Sequence, residues 1–181
     1  DLFAMFMERA FSLLRPNGYN AQINMQSWMF LSSYFRLREE ILNAKTIICL
    51  AHLGPRAFAE ISGEIVQTVA WIIANQHIDQ YQPVFYRLVE GNDERKRLAL
   101  IDTSNRIVNV KQNDFTAIPG NTIAYWLSPP MRNSFSNHRK LADFAMPKEG
   151  LNTTNNDRFL RRWWAPSVKV VGTPPDVRLC K

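Results

Sequence analysis

The order of patterns along the chain, helix, strand, helix, strand, loop, strand, predicts an α/β fold built as the carboxyl half of a doubly wound sheet. Three observations carry the prediction. Residues 1–14 and 28–42 repeat apolar side chains at helical spacing, residues 46–50 and 65–74 are continuous apolar runs of strand length, and the last pair of strands is close enough to form an antiparallel hairpin edge.

The elements follow in order. Leu2, Phe3, Phe6, Met7, Ala10, Phe11 and Leu14 recur at helical spacing, and Arg15-Pro16-Asn17-Gly18 supplies basic, breaker and turn residues in the order that ends a helix. Residues 19–25 alternate, with Ala21, Ile23 and Met25 on one side, which suits a strand. Ser27 is a candidate cap for a second helix over 28–42, with Met29, Tyr34, Leu37, Ile41 and Leu42 as its stripe. Residues 46–50 read as a buried strand, 54–63 as a loop, and 65–74 and 83–89 as further strands. A charged break at 91–96 leads into a short helix to about Asp102, and 106–111 alternate as a strand. Residues 115–120 connect to two short helical pieces, 123–127 and 131–135, divided by Pro129-Pro130. From about Ala142 the pattern turns loop-rich and basic. A domain boundary is expected near 120–140, separating residues 1–120 from a connector and second region over 121–181.

Composition narrows the function classes. With 181 residues, 46% hydrophobic and 21% charged, the chain is expected to be globular, not disordered or collagen-like. Its longest apolar runs fall well short of the roughly 20 residues that span a bilayer, so no membrane association is expected. Cys49 and Cys180 make neither a disulfide framework nor a zinc site, and a reducing cytoplasm is the expected compartment. The opening residue is Asp1 and the pattern is already helical there, as in a piece of a longer protein. Residues 1–131 carry 12 basic and 12 acidic side chains, so the whole net charge of +6 sits in the last fifty residues, with 10 basic against 4 acidic. Such a basic end suits either a polyanion-facing appendage or an ordinary solvated surface.

Few residues announce chemistry. His52, His77 and His138 lie in unrelated contexts and are assigned structural or surface roles, and the carboxylate pairs Glu39-Glu40 and Asp93-Glu94 lie on charged surface stretches. No Gly-rich phosphate loop opens a helix. The informative segment is 52–61, a loop between two apolar strands that carries one large aromatic, Phe58. Phe58 reads either as a plug of the local core or as a stacking surface for a flat substrate.

At the level of segments the chain resembles the carboxyl half of gamma-type adenine-specific DNA methyltransferases, and among them the large methyltransferase of BREX-type phage-defence systems. The residues that carry the resemblance run in family order: 1–10 with Leu13-Leu14-Arg15-Pro16, then 18–28, 34–42, Leu53-Gly54 with Phe58, and 150–160. It extends to about Trp164. The resemblance implies a Rossmann-like sheet, S-adenosylmethionine as methyl donor, and transfer to the exocyclic amine of an adenine flipped out of double-stranded DNA, followed by the start of a target-recognition region. By position, Phe6 matches an aromatic that packs on the cofactor, and Phe58 the aromatic that stacks on the flipped base.

The resemblance makes 150–159 the entry to the target-recognition region and other subunits of a defence system candidate partners, and with the basic end it makes Asn152, Thr153, Arg158, Phe159, Arg161 and Arg162 the candidate DNA-binding residues. The family's Gly-rich cofactor loop and its Asn/Asp-Pro-Pro-Tyr/Phe tetrapeptide have no counterpart in the chain. Ser128-Pro129-Pro130-Met131 differs in residue type and position. Those parts are expected ahead of Asp1, so the segment alone is expected to be inactive. The alternative is a non-catalytic DNA-binding recognition module in which Arg158, Arg161, Arg162, Trp163 and Trp164 combine phosphate contact with stacking.

Overall fold

A computed structural model describes residues 1–58, 66–139 and 141–146. The chain divides into two units, Asp1–His138 and Arg139–Lys181. In the first, the order is α1 (Leu2–Leu13), β1 (Tyr19–Met25), α2 (Phe35–Ala44), β2 (Thr46–Gly54), β3 (Thr68–Ala74), β4 (Val84–Arg87), α3 (Asp93–Ile101), β5 (Arg106–Ile107) and α4 (Pro129–Asn137). In the second, the described residues include a 3-10 turn, Leu141–Asp143, and the Arg139 guanidinium 4.0 Å from the Phe144 ring centroid. No helix among the described residues is long and apolar enough to cross a membrane.

The α/β class holds, with a five-stranded mixed sheet ordered β1-β3-β2-β4-β5. β2 and β3 pair antiparallel as a hairpin, but the hairpin lies inside the sheet: β1 adds antiparallel outside β3, and β4 adds parallel to β2. β1, β2 and β4 therefore run in one direction with β3 inserted against them. Residues 106–111 give only the two-residue β5, which pairs antiparallel with β4.

Register divides the side chains between two faces. Asn20, Gln22 and Asn24 of β1 share a face with Ile73, Trp71 and Val69 of β3, Leu50 and His52 of β2, and Phe85 of β4. Against that face pack Ala4, Met7 and Phe11 of α1 and Leu37, Ile41 and Leu42 of α2, together with Trp28, Met29, Phe115, Ile123 and Tyr125. The other face is covered only in part, where Ala51, Tyr86 and Leu88 cluster with Ala99 of α3. Over β1 and β3 it stays open, with Ile23 58% and Ile72 40% exposed. The apolar phase that marks β1 as a strand is thus its solvent side, and its amides face the helices.

Two expected helices differ for a physical reason. Residues 28–42 are not one helix from a Ser27 cap: short 3-10 turns, Gln26–Met29 and Ser32–Tyr34, precede α2, and no side chain caps the first. Arg38, fully buried on α2, takes the carbonyls that a continuous helix would pair internally. Its Nη1 donates to Trp28 O and Leu31 O, both at 2.7 Å, and its Nε and Nη2 donate to Gly120 O at 2.9 and 2.7 Å. Gly120 sits at φ +74°, in the left-handed region that glycine tolerates, which turns its carbonyl inward.

Residues 123–127 are likewise not helical. Ile123 N donates to Met29 O at 3.1 Å, and Ile123, Ala124 and Tyr125 fill the core. Pro129 and Pro130 do not divide helices but begin α4, at positions whose amides need no intrahelical partner.

The carboxyl end of α2 is closed by another long-range side chain. Gln112 Nε2 donates to Leu42 O (2.9 Å) and Lys45 O (2.7 Å), while its Oε1 accepts from Ile47 N at 2.8 Å, joining the last turn of α2 to the start of β2.

Removing the Arg38 fork leaves the carbonyls of Trp28 and Gly120 without their donor, and Leu31 O with only Tyr34 N. Arg38→Met is expected to lower stability by about 3 to 5 kcal/mol in chemical denaturation. Arg38→Lys should recover only part of this, because a point ammonium cannot reproduce the planar fork. Wild-type stability in Arg38→Met would show that the carbonyls find other partners.

Candidate functional site

Because β1, β2 and β4 run together, Met25, Gly54 and Arg87 end at one side of the sheet, where β3 begins at Thr68. The carboxyl ends of parallel strands are where α/β proteins hold ligands, since side chains and loops there converge without closing the sheet. Gly54 (φ +64°) turns the chain out of β2, and a Cβ there would meet Val89 Cα and Cβ at 3.1 Å. Two residues on, Arg56 also adopts a positive φ of 55°. These turns carry the chain to Phe58, which is 41% exposed and belongs to neither apolar cluster.

A polar chain crosses the same end. Tyr125 Oη lies 3.0 Å from His52 Nδ1, His52 Nε2 lies 2.5 Å from Gln26 Oε1, and Gln26 Nε2 donates to Gln67 Oε1. The direction is set at Tyr125: its buried hydroxyl has no other partner among the described residues, so it donates to His52 Nδ1, His52 carries its proton on Nε2, and Gln26 turns its oxygen to that proton. His52 is 7% exposed and ringed by Phe30, Tyr125 and Trp126, with centroids at 5.9, 6.0 and 6.2 Å. Burial, then the charges of Arg87 and Lys96, lower its pKa to about 4, so the ring is neutral at physiological pH. Tyr125 stacks on Phe85 at 4.9 Å, and burial raises its pKa, with a smaller opposing pull from Arg87.

The charges near this end are positive. Lys96, buried on α3, donates to Leu53 O and to Leu88 O (2.6 Å), tying the end of β2 to the chain just after β4. Burial and the neighbouring Arg56 lower its pKa. None of the ion pairs among the described residues involves Arg56, Arg87 or Lys96. An open pocket of about 250 Å³ lies between the ends of β1 and β3, lined by Met25, Gln26, Ser27, Phe30, Leu31 and Gln67. A smaller recess, about 70 Å³, sits at the opposite end by Thr46 and His77.

Of the residues singled out from sequence, Phe58 lies in the loop leaving this end of the sheet. Phe6 is 60% exposed on α1, on the side away from the buried Ala4, Met7 and Phe11. Asn152, Thr153, Arg158, Phe159, Arg161 and Arg162 lie outside the described residues, as does Cys180. Sequence patterns single out none of Gln26, Gln67 and Tyr125, and give His52 only a structural or surface role. The available signal was the period-two series Asn20, Gln22, Asn24, Gln26, a strand face made entirely of amides.

The profile of the Eco57I restriction-modification methylase family matches residues 1–58, which reach from α1 to Phe58. That family is one of restriction-modification methylases. More particularly, the chain is 54% identical over 171 residues to the adenine-specific methyltransferase BrxX of Escherichia coli O9:H4 (strain HS), a match covering 94% of the chain. It is 40% identical over 171 residues, covering 90% of the chain, to the adenine-specific methyltransferase PglX of Lacticaseibacillus casei (strain Zhang). The chain spans 14% of the length of each, so the likeness is to one segment of these two proteins. The M protein of the type I restriction enzyme EcoKI is similar at a TM-score of 0.41 and 15% identity, over 54% of this chain and 24% of that one.

The depressed pKa of His52 has a pH signature. In the unfolded chain the ring takes up its proton near 6.5, in the folded protein only near 4. Below 6.5 the unfolded state therefore binds more protons. The stability present above about pH 6.5 is lost as pH falls toward 4, by about 3 kcal/mol from this group. Denaturation midpoints at pH 7 and pH 4.5 measure it, and His52→Gln should flatten the difference. An equal acid loss in His52→Gln would assign the dependence to other groups.

Proposed function

We propose that this chain is the part of an adenine-specific DNA methyltransferase that presents Phe58 to the target base, in an enzyme of the phage-defence or restriction-modification type. The observation that carries the reading is the exposed Phe58 at the strand ends, in a chain 54% identical to an adenine-specific methyltransferase. An adenine extruded from double-stranded DNA has lost its stacking, and an aromatic face restores about 1 to 3 kcal/mol of it. Phe58 supplies that face, and Arg56 and Arg87 supply positive charge for the phosphates of the strand that carries the base.

S-adenosylmethionine, bound mainly by parts of the enzyme outside this chain, supplies an activated methyl group. Phe6 fits a place beside it, since an aromatic ring 60% exposed on α1 has a free face for a flat heterocycle. The neutral network of His52 and Tyr125 holds the end of β1 against the start of β3 without adding charge beside the base. Asn152, Thr153, Arg158, Phe159, Arg161 and Arg162 are assigned to DNA contact in the target-recognition region.

In the full-length enzyme, Phe58→Ala is expected to lower methylation about tenfold or more while melting temperature holds, and Phe58→Trp to retain more activity than Phe58→Ala. Fluorescence of 2-aminopurine at the target position reads base extrusion directly. A stability loss of about 3 to 5 kcal/mol with unaltered extrusion would make Phe58 a core residue instead.

For the basic end, replacing Arg158, Arg161 and Arg162 together with Ala should flatten the salt dependence of DNA affinity, by about one unit of log-log slope for each lost phosphate contact. An unchanged slope would assign the three arginines to ordinary surface.

A further inference from the structure

The network that begins at Tyr125 does not end in a closed pair. Tyr125 donates to His52, His52 donates to Gln26, and Gln26 donates to Gln67, so every proton in the chain points one way, toward the pocket at the ends of β1 and β3. Gln67 spends its oxygen on Gln26. Its backbone carbonyl also accepts from Gln26 N at 3.0 Å, which fixes the two residues side by side. What remains is the Gln67 side-chain NH2, whose hydrogens have no partner among the described residues and which belongs to a residue lining the 250 Å³ pocket. Turning the amide over would set its NH2 against that of Gln26, two donors face to face, so the network locks Gln67 as a donor.

We propose that Gln67 is a specificity-determining residue that donates a hydrogen bond to a ring nitrogen of the extruded adenine, with Gln26, His52 and Tyr125 as positioning residues behind it. This rests on the methyltransferase reading above. The chemistry of adenine selects the contact: N1, N3 and N7 are acceptors and only the exocyclic amine donates. A locked donor can therefore hold the ring but cannot engage the amine, which is left free as the methyl acceptor. Met25, Phe30 and Leu31 give the pocket apolar walls suited to a flat ring. His52 serves the arrangement because it is neutral: a protonated ring would donate from both nitrogens and turn the Tyr125 hydroxyl away.

The test is steady-state methylation by the full-length enzyme carrying Gln67→Glu or Gln67→Met. The glutamate keeps an oxygen for Gln26 and loses the outward donor, and the methionine keeps the shape and loses both functions. Each is expected to lower kcat/KM on adenine-containing duplex roughly tenfold with melting temperature unchanged. Duplexes bearing 1-deaza-, 3-deaza- or 7-deazaadenine at the target position complete the cycle. One of the three should cost the wild type a similar factor and cost the Gln67 variants nothing further.

Wild-type kinetics in either variant would overturn the inference, as would a fall in melting temperature that accounts for the lost rate, or an absence of any deaza analogue that separates wild type from variants. A wild-type enzyme that methylates no adenine overturns the methyltransferase reading and this inference with it. Any other failure overturns the inference alone.

Discussion

The binding of the buried Arg38 guanidinium to backbone carbonyls instead of a carboxylate organises this structure. Desolvating a guanidinium is costly unless its donors are occupied, and Arg38 occupies them with carbonyls drawn from three places in the chain, at Trp28, Leu31 and Gly120. The chain between β1 and α2 must stay out of a regular helix to offer those carbonyls, and the turn at Gly120 must reach α2. Once it does, Ile123 bonds to Met29, and Tyr125 and Trp126 shortly after it arrive beside His52. A residue on the second helix thus sets the position of the aromatic wall around the strand ends.

That dependence explains which parts of the fold the sequence disclosed. The first helix, the strand at 19–25, the start of β2 over 46–50 and the antiparallel pairing of β2 with β3 rest on local periodicity and loop length, and local patterns report them. The helices expected at 28–42 and 123–127 failed because hydrogen bonds across about eighty residues outweigh the local preference of a few apolar positions. Pro129 and Pro130 were misread for a related reason: a proline pair marks a helix start as readily as a helix end, and only Ser128 just before it distinguishes the two.

At the site, Phe58 was legible from its place between two apolar runs. The amide chain was not, because attention to apolar residues selects the other phase of β1. Asn20 donates to Met7 O, Gln22 to Asn20 Oδ1, Trp71 to Asn24 Oδ1, and Gln26 to Gln67. Polar side chains turned toward a core carry information only through their partners, and the partners outside β1 lie on α1, on β3 and at Gln67 just before β3.

The amide face of β1 has a consequence for strand register. Moving β1 by one residue against β3 would turn Ala21, Ile23 and Met25 inward and Asn20, Gln22, Asn24 and Gln26 outward, an exchange that hydrophobicity alone would favour. The native alignment is held instead by pairings that the slipped one cannot reproduce. Of these, the bond from the Trp71 indole to Asn24 is the one that reaches the neighbouring strand from the middle of β1. The segment therefore carries a competing alignment within its own sequence, and the alignment that puts Gln26 beside His52 is chosen by polar matching against the pull of oil.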